Sequence, residues 1–155
     1  MQEINIRKGE LSDLPYLYEI CLKTGENGKD ATELFHDEFL IGQYYAAPYL
    51  VFPSGICIVA ELNFRPQGYV IAAPDSIAFD KWMEEQWLPP LRNRYAQLAP
   101  LVQGSEFTPS EYIRSKKEAE ILKKIFEKGV PAELQPWFTD YPAHLHIDLL
   151  PTLQG

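Results

Sequence analysis

The order of signals along the chain predicts an α/β (α+β) fold with a mixed sheet flanked by helices. Three observations lead there. An alternating strand opens the chain and two helical patterns follow it. Two apolar strands, "GICIVAEL" (55–62) and "GYVIAAP" (68–74), are joined by the turn-forming "NFRPQ". Further helices lead to one last strand, His144–Leu150.

Each element has a local reason. "INIRKG" (4–9) alternates apolar and polar residues and reads as the first strand. Ser12 is a candidate N-cap and Pro15 fits a first helical turn. Leu14, Leu17, Tyr18, Cys21 and Leu22 share one face, and Gly25 ends the helix. Asp30 with Glu33 has capping-box spacing and opens a helix through about Tyr45. Pro74-Asp75-Ser76 stops the third strand and caps a helix over 77–87, which Pro89-Pro90 ends or kinks. Residues 96–107 read as loop. Thr108-Pro109-Ser110-Glu111 is a helix start, and that helix runs to Gly129. A short helix near Pro131–Phe138 precedes the last strand.

The 155 residues contain 46% hydrophobic and 13% aromatic residues, enough to bury a core, and a single domain over 1–155 is expected. No apolar run approaches the roughly 20 residues of a membrane helix. The opening "MQEINIRKGELSD" lacks the apolar centre of a signal peptide, so a soluble, cytoplasmic protein is expected. Cys21 and Cys57 sit in apolar patterns and read as buried free thiols. No Cys/His spacing suggests a metal site. The net charge of −8 disfavours nucleic acid and anionic membranes as partners.

The last strand ends "LLPTLQG" (149–155), which resembles the start of motif A in the GNAT superfamily of acetyl-CoA-dependent acetyltransferases. Three further stretches, "YEICLKTGENGKDAT" (18–32), "GYVIAAPD" (68–75) and "WLPPLRNRY" (87–95), resemble the acetyltransferase-like domain of O-GlcNAc hydrolases and its stand-alone bacterial relatives. The likeness implies a GNAT-like, mostly antiparallel sheet, of which the chain carries the N-terminal portion and stops inside motif A. It implies acetyl-CoA as cosubstrate. Leu149 and Leu150 then offer backbone groups to the pantetheine arm, and Gln154 and Gly155 open the pyrophosphate loop. Such loops bind anions through backbone N–H groups at a helix N-terminus.

Alternation places His144, His146 and Asp148 on one face of the last strand. Asp148 is the first candidate for a general base and His146 the second; the other reading is a polar face that is merely hydrogen-bonded. Lys29 and Asp30, in the loop between the first two helices, are candidate acceptor contacts, with Asp30 as a helix cap the alternative. Asp75 is a candidate acceptor contact or a cap. Tyr44 lines an acceptor pocket or packs in the core.

The function expected is transfer of an acetyl group from acetyl-CoA to the primary amine of a small molecule or protein. The chain by itself is expected to be inactive. The alternative is a non-catalytic acetyltransferase-like binding module. An apolar final strand at a sheet edge also makes a homodimer through that strand an expectation.

Overall fold

The computed structural model describes residues 3–104, 106–129, 132 and 135–154. Four strands, β1 (Ile4–Lys8), β2 (Ile56–Leu62), β3 (Arg65–Ala73) and β4 (His144–Leu149), form one sheet in the order β1-β2-β3-β4. Every pairing among them is antiparallel. Strand β3 begins at Arg65, earlier than the apolar pattern suggested. Asn63 and Phe64 both take left-handed φ values, 53° and 63°, and close a two-residue hairpin turn. A bulge at Ala60/Glu61 adjusts the register behind it.

The helices depart from the sequence reading at their ends. Helix α1 (Leu14–Thr24) follows a 3-10 turn, Leu11–Asp13, in which Asp13 accepts from the Glu10 N–H at 2.8 Å. Asp13, not Ser12, therefore stands at the helix start. Asp30 accepts from the Thr32 N–H at 2.8 Å and closes a local turn. The helix expected over 30–45 is instead a 3-10 turn, Thr32–Leu34, followed by α2 (Leu40–Tyr45) and α3 (Ala47–Val51).

Asp75 caps α4 (Ser76–Trp82) through the Ala78 N–H at 2.9 Å. A π-helical turn, Met83–Trp87, joins α4 to α5 (Leu88–Arg94). Pro89 and Pro90 lie in the first turn of α5, where a missing N–H costs little, so they open a helix rather than end one. The segment read as loop contains α6 (Ala99–Val102).

Helix α7 (Lys116–Phe126) starts at Lys116 and not near Thr108. Ser115 caps it by accepting from the Glu118 N–H at 3.0 Å. The buried Glu118 carboxylate accepts from the N–H groups of His36 and Arg114, both at 2.7 Å, and ties this end to the preceding chain. Tertiary anchoring thus outweighs the Thr108 start signal. Helix α8 (Trp137–Asp140) lies in the region of the expected short helix, whose residues Pro131, Glu133 and Leu134 fall outside the described ones.

The core lies against one face of the sheet. Cys57, Val59, Tyr69, Ile71 and Ala73 share one buried cluster with Leu17 and Ile20 of α1. The other face carries the exposed apolar side chains Ile4, Ile6, Ile56, Ile58, Leu145 and Ile147. Both cysteines are free and buried, and burial pushes their thiols up, to about 12 for Cys21 and about 11 for Cys57. Among the described residues no helix is long and apolar enough to cross a membrane.

Gly55 is fixed by space. A Cβ there would lie 1.9 Å from the Tyr49 carbonyl oxygen and 3.1 Å from that of Phe52. Backbone cannot yield as a side-chain tip does. Gly55→Ala is expected to destabilise by about 1–3 kcal/mol in urea unfolding, with α3 displaced; an unchanged midpoint would contradict this packing.

Candidate functional site

Strand β4 builds the site by alternation. Its side chains His144, His146 and Asp148 point to the helix-covered face, opposite Ala73, Ile71 and Tyr69 of β3. Tyr49 of α3 reaches the two histidines. Its ring stacks on Phe79 at 4.5 Å between centroids, and its hydroxyl lies 2.9 Å from His144 Nε2 and 3.0 Å from His146 Nε2. The other nitrogen of His144, Nδ1, lies 2.6 Å from Ser76 Oγ. The Ser76 N–H donates to the Pro142 carbonyl at 2.7 Å, which ties the start of α4 to the approach of β4. Ser76, His144, Tyr49 and His146 form one hydrogen-bonded chain.

Two cavities meet at this chain. The larger, about 340 Å³, is walled by aromatic rings including Tyr44, Tyr45, Phe79 and Phe138, and Ser76, His144 and His146 open onto it. The smaller, about 250 Å³, is lined by Cys21, Thr24, Lys117, His146 and Asp148. His146 belongs to both. Lys124 stands at the larger cavity, bonded to the Tyr45 hydroxyl and 5.9 Å from the Tyr44 ring centroid.

Burial sets the protonation states. It holds the His144 imidazole below its ordinary range, and the neighbouring His146 adds to this. His146 is held low by burial too, with Asp148 acting against it. Both rings are therefore neutral at physiological pH. Burial also raises Tyr49, which keeps its hydroxyl proton, and raises Tyr44 to about 12. Asp148 accepts from the Tyr69 hydroxyl at 2.6 Å, and burial pushes that phenol well above its usual range.

The structure brings some predicted site residues together and separates others. His146 and Asp148 stand side by side at the smaller cavity, and Tyr44 lines the larger one. The Leu150 N–H donates to Gln67 of β3 at 2.8 Å, so in the antiparallel alternation Leu149 turns its backbone groups to the outer edge of β4. There the Leu149 carbonyl accepts from Gln154 Nε2 at 2.6 Å. Gln154 follows a 3-10 turn, Pro151–Leu153, and Gly155 lies outside the described residues. Lys29 and Asp30 line neither cavity. Asp30 pairs with Lys23 at 2.8 Å, and that ammonium, with Thr32, lowers its carboxyl to about 2. Asp75 serves as the cap of α4. Among the described residues no group of three or more His, Cys, Asp or Glu is placed to hold a metal ion.

Sequence reasoning missed Ser76 and Tyr49 as site residues. Ser76 reads as part of a helix start, and Tyr49 as one core aromatic among several. Only the fold brings Tyr49 to histidines that lie far along the chain.

No family model matches the chain. Among solved structures it is similar to SsHAT, with 26% sequence identity and a TM-score of 0.72, over 99% of this chain and 69% of that one. The four-stranded antiparallel sheet flanked by helices matches the GNAT-like acetyltransferase fold of this neighbour. The likeness supports an acetyltransferase-type function in general.

Proposed function

We propose that this chain is the core of an acetyl-CoA-dependent N-acetyltransferase that acetylates a primary amine. The observation that carries the reading is the position of His146: on β4 of a GNAT-like fold, between two cavities, beside a strand edge with outward-facing backbone groups at Leu149. The amine enters the larger, aromatic-walled cavity and the thioester lies along β4. His146 takes a proton from the amine nitrogen as that nitrogen attacks the thioester carbonyl. The new C–N bond forms, the C–S bond breaks, and the leaving thiolate takes a proton. Asp148, already accepting from Tyr69, supports His146 electrostatically.

The pantetheine arm pairs with the outer edge of β4, and Gln154 yields the Leu149 carbonyl to it. A second copy of the chain pairing on β4 competes for the same backbone groups, so the homodimer and the ligand are alternatives at this edge. Calorimetric titration with acetyl-CoA tests the reading. A saturable heat with Kd of about 1 µM–1 mM is expected; no heat at the upper end of that range contradicts it.

A further inference from the structure

We infer that Ser76, His144, Tyr49 and His146 act as a proton relay that lets His146 exchange protons with the reactants without becoming an imidazolium. The inference rests on the acetyl-transfer reading and extends it to Ser76, His144 and Tyr49, which line the larger cavity and act on the reacting atoms through His146.

The hydrogen count makes the relay directional. Tyr49 has one hydroxyl proton and two imidazole nitrogens within hydrogen-bond distance. With both rings neutral, it donates to one histidine and accepts from the other. Only two arrangements satisfy all four residues. In the first, His146 Nε2–H donates to Tyr49, Tyr49 donates to His144 Nε2, and His144 Nδ1–H donates to Ser76 Oγ. In the second, every donor is reversed: Ser76 to His144 Nδ1, His144 Nε2–H to Tyr49, and Tyr49 to His146 Nε2.

The free ends fit this purpose. Among the described residues His146 Nδ1 has no hydrogen-bond partner, yet no buried side-chain nitrogen or oxygen there lacks one, so Nδ1 is open to solvent. Ser76 lines the larger cavity at the other end of the chain.

In the first arrangement Nδ1 carries a lone pair and is a base. When it takes a proton from the amine, the Nε2 proton moves to Tyr49. The Tyr49 proton moves to His144 Nε2, the His144 Nδ1 proton moves to Ser76, and the Ser76 proton passes to solvent water at the cavity mouth, which returns one later. The chain is now in the second arrangement, with Nδ1–H placed as an acid. Giving that proton to the thiolate reverses every shift and takes one proton back at Ser76. Each group ends neutral, and no charge is left in a site where burial opposes an imidazolium. Tyr49 is suited to the centre because burial keeps it protonated and the Phe79 stack holds its ring. His144, Tyr49 and Ser76 are thus positioning residues, and His146 is the catalytic one.

The test has two arms, both on the intact gene product that carries this chain. The first is nitrogen NMR of the two imidazoles without ligand. The wild type is expected to show paired tautomers, either His146 Nε2–H with His144 Nδ1–H or His146 Nδ1–H with His144 Nε2–H. Tyr49→Phe keeps the ring stack but is expected to break that pairing. The second arm is thiol release from acetyl-CoA with spermidine, glucosamine or a lysine peptide as amine. Tyr49→Phe is expected to lower kcat about 10²-fold with KM for acetyl-CoA unchanged, and to turn a curved proton inventory in mixed light and heavy water into a linear one. Ser76→Ala is expected to lower kcat less, because the cavity adjoins that end. Turnover with unpaired tautomers, or with a Tyr49→Phe rate equal to wild type, overturns the relay alone. Paired tautomers with no turnover on any of the three amines overturn the acetyl-transfer reading, and the relay's catalytic role with it.

Discussion

Replacing His146 with alanine is expected to lower kcat for acetyl transfer by about 10²–10³-fold, with KM for acetyl-CoA changed by less than about threefold. The variant removes the one imidazole that borders both cavities. Binding is expected to persist because the cosubstrate reading rests on the backbone of β4 and not on side chains. Folding is expected to persist as well, since Tyr49 keeps His144 as a partner and its stack on Phe79. Asp148→Asn is expected to cost less than His146→Ala, because the carboxylate acts through its field and already accepts from Tyr69. A larger loss at Asp148 than at His146 would move the base to Asp148. Steady-state kinetics with circular dichroism on each variant decides between them.

The second large effect lies at the other edge of the sheet and concerns stability. Arg7 of β1 holds two carboxylates: Asp13 at 2.7 Å and Glu61 of β2 at 2.6 Å. Asn5 adds a bond to Glu61 at 3.1 Å. The side chains of Asp13 and Glu61 are only 4% and 9% exposed, while Arg7 keeps 31%. Arg7→Met leaves two neighbouring carboxylates without their cation. Breaking a buried pair costs about 3–5 kcal/mol. Solvent around Arg7 reduces this to about 2–3 kcal/mol, a fall in Tm of about 4–12 °C for a chain of this size.

The pH dependence has a definite sign. Arg7 is the first cause holding both carboxyls below their ordinary values of 3.8 and 4.5. A group whose pKa is lower folded than unfolded stabilises fully above its unfolded value, and loses that contribution as pH falls through its folded value. Wild-type stability is therefore expected to drop as pH falls below about 4.5. The Arg7→Met protein is expected to show a shallower drop over the same range. Parallel curves for the two proteins would remove Arg7 as the cause.

The parts of the fold that were legible in the sequence are those set by neighbours along the chain. Alternation placed His144, His146 and Asp148 on one face of β4, and they share it. Asp75 was readable as a helix cap because its partner, Ala78, lies within the same turn. The hairpin of β2 and β3 followed from two apolar runs and a short connection, although the two-residue turn at Asn63-Phe64 lengthened β3.

What was not legible depends on distant contacts. Thr108-Pro109-Ser110-Glu111 has every local feature of a helix start. Helix α7 nevertheless begins at Lys116, behind its cap Ser115, where the Glu118 carboxylate reaches the His36 N–H and Ser115 Oγ donates to the Leu34 carbonyl at 2.7 Å. Pro89-Pro90 looks like a terminator and instead sits in the first turn of α5. The bridge from Tyr49 to His144 and His146 joins α3 to β4, and nothing within one helical turn of Tyr49 announces it.

The role proposed for His146, acetyl transfer from acetyl-CoA to an amine, has a direct assay. Thiol release by the intact gene product that carries this chain, followed with acetyl-CoA and spermidine, glucosamine or a lysine peptide, is the decisive measurement. Amine-dependent thiol release that saturates in acetyl-CoA and falls by about 10²-fold or more in His146→Ala is expected. Thiol release no faster than the uncatalysed background with all three amines, or an undiminished rate in His146→Ala, would contradict it.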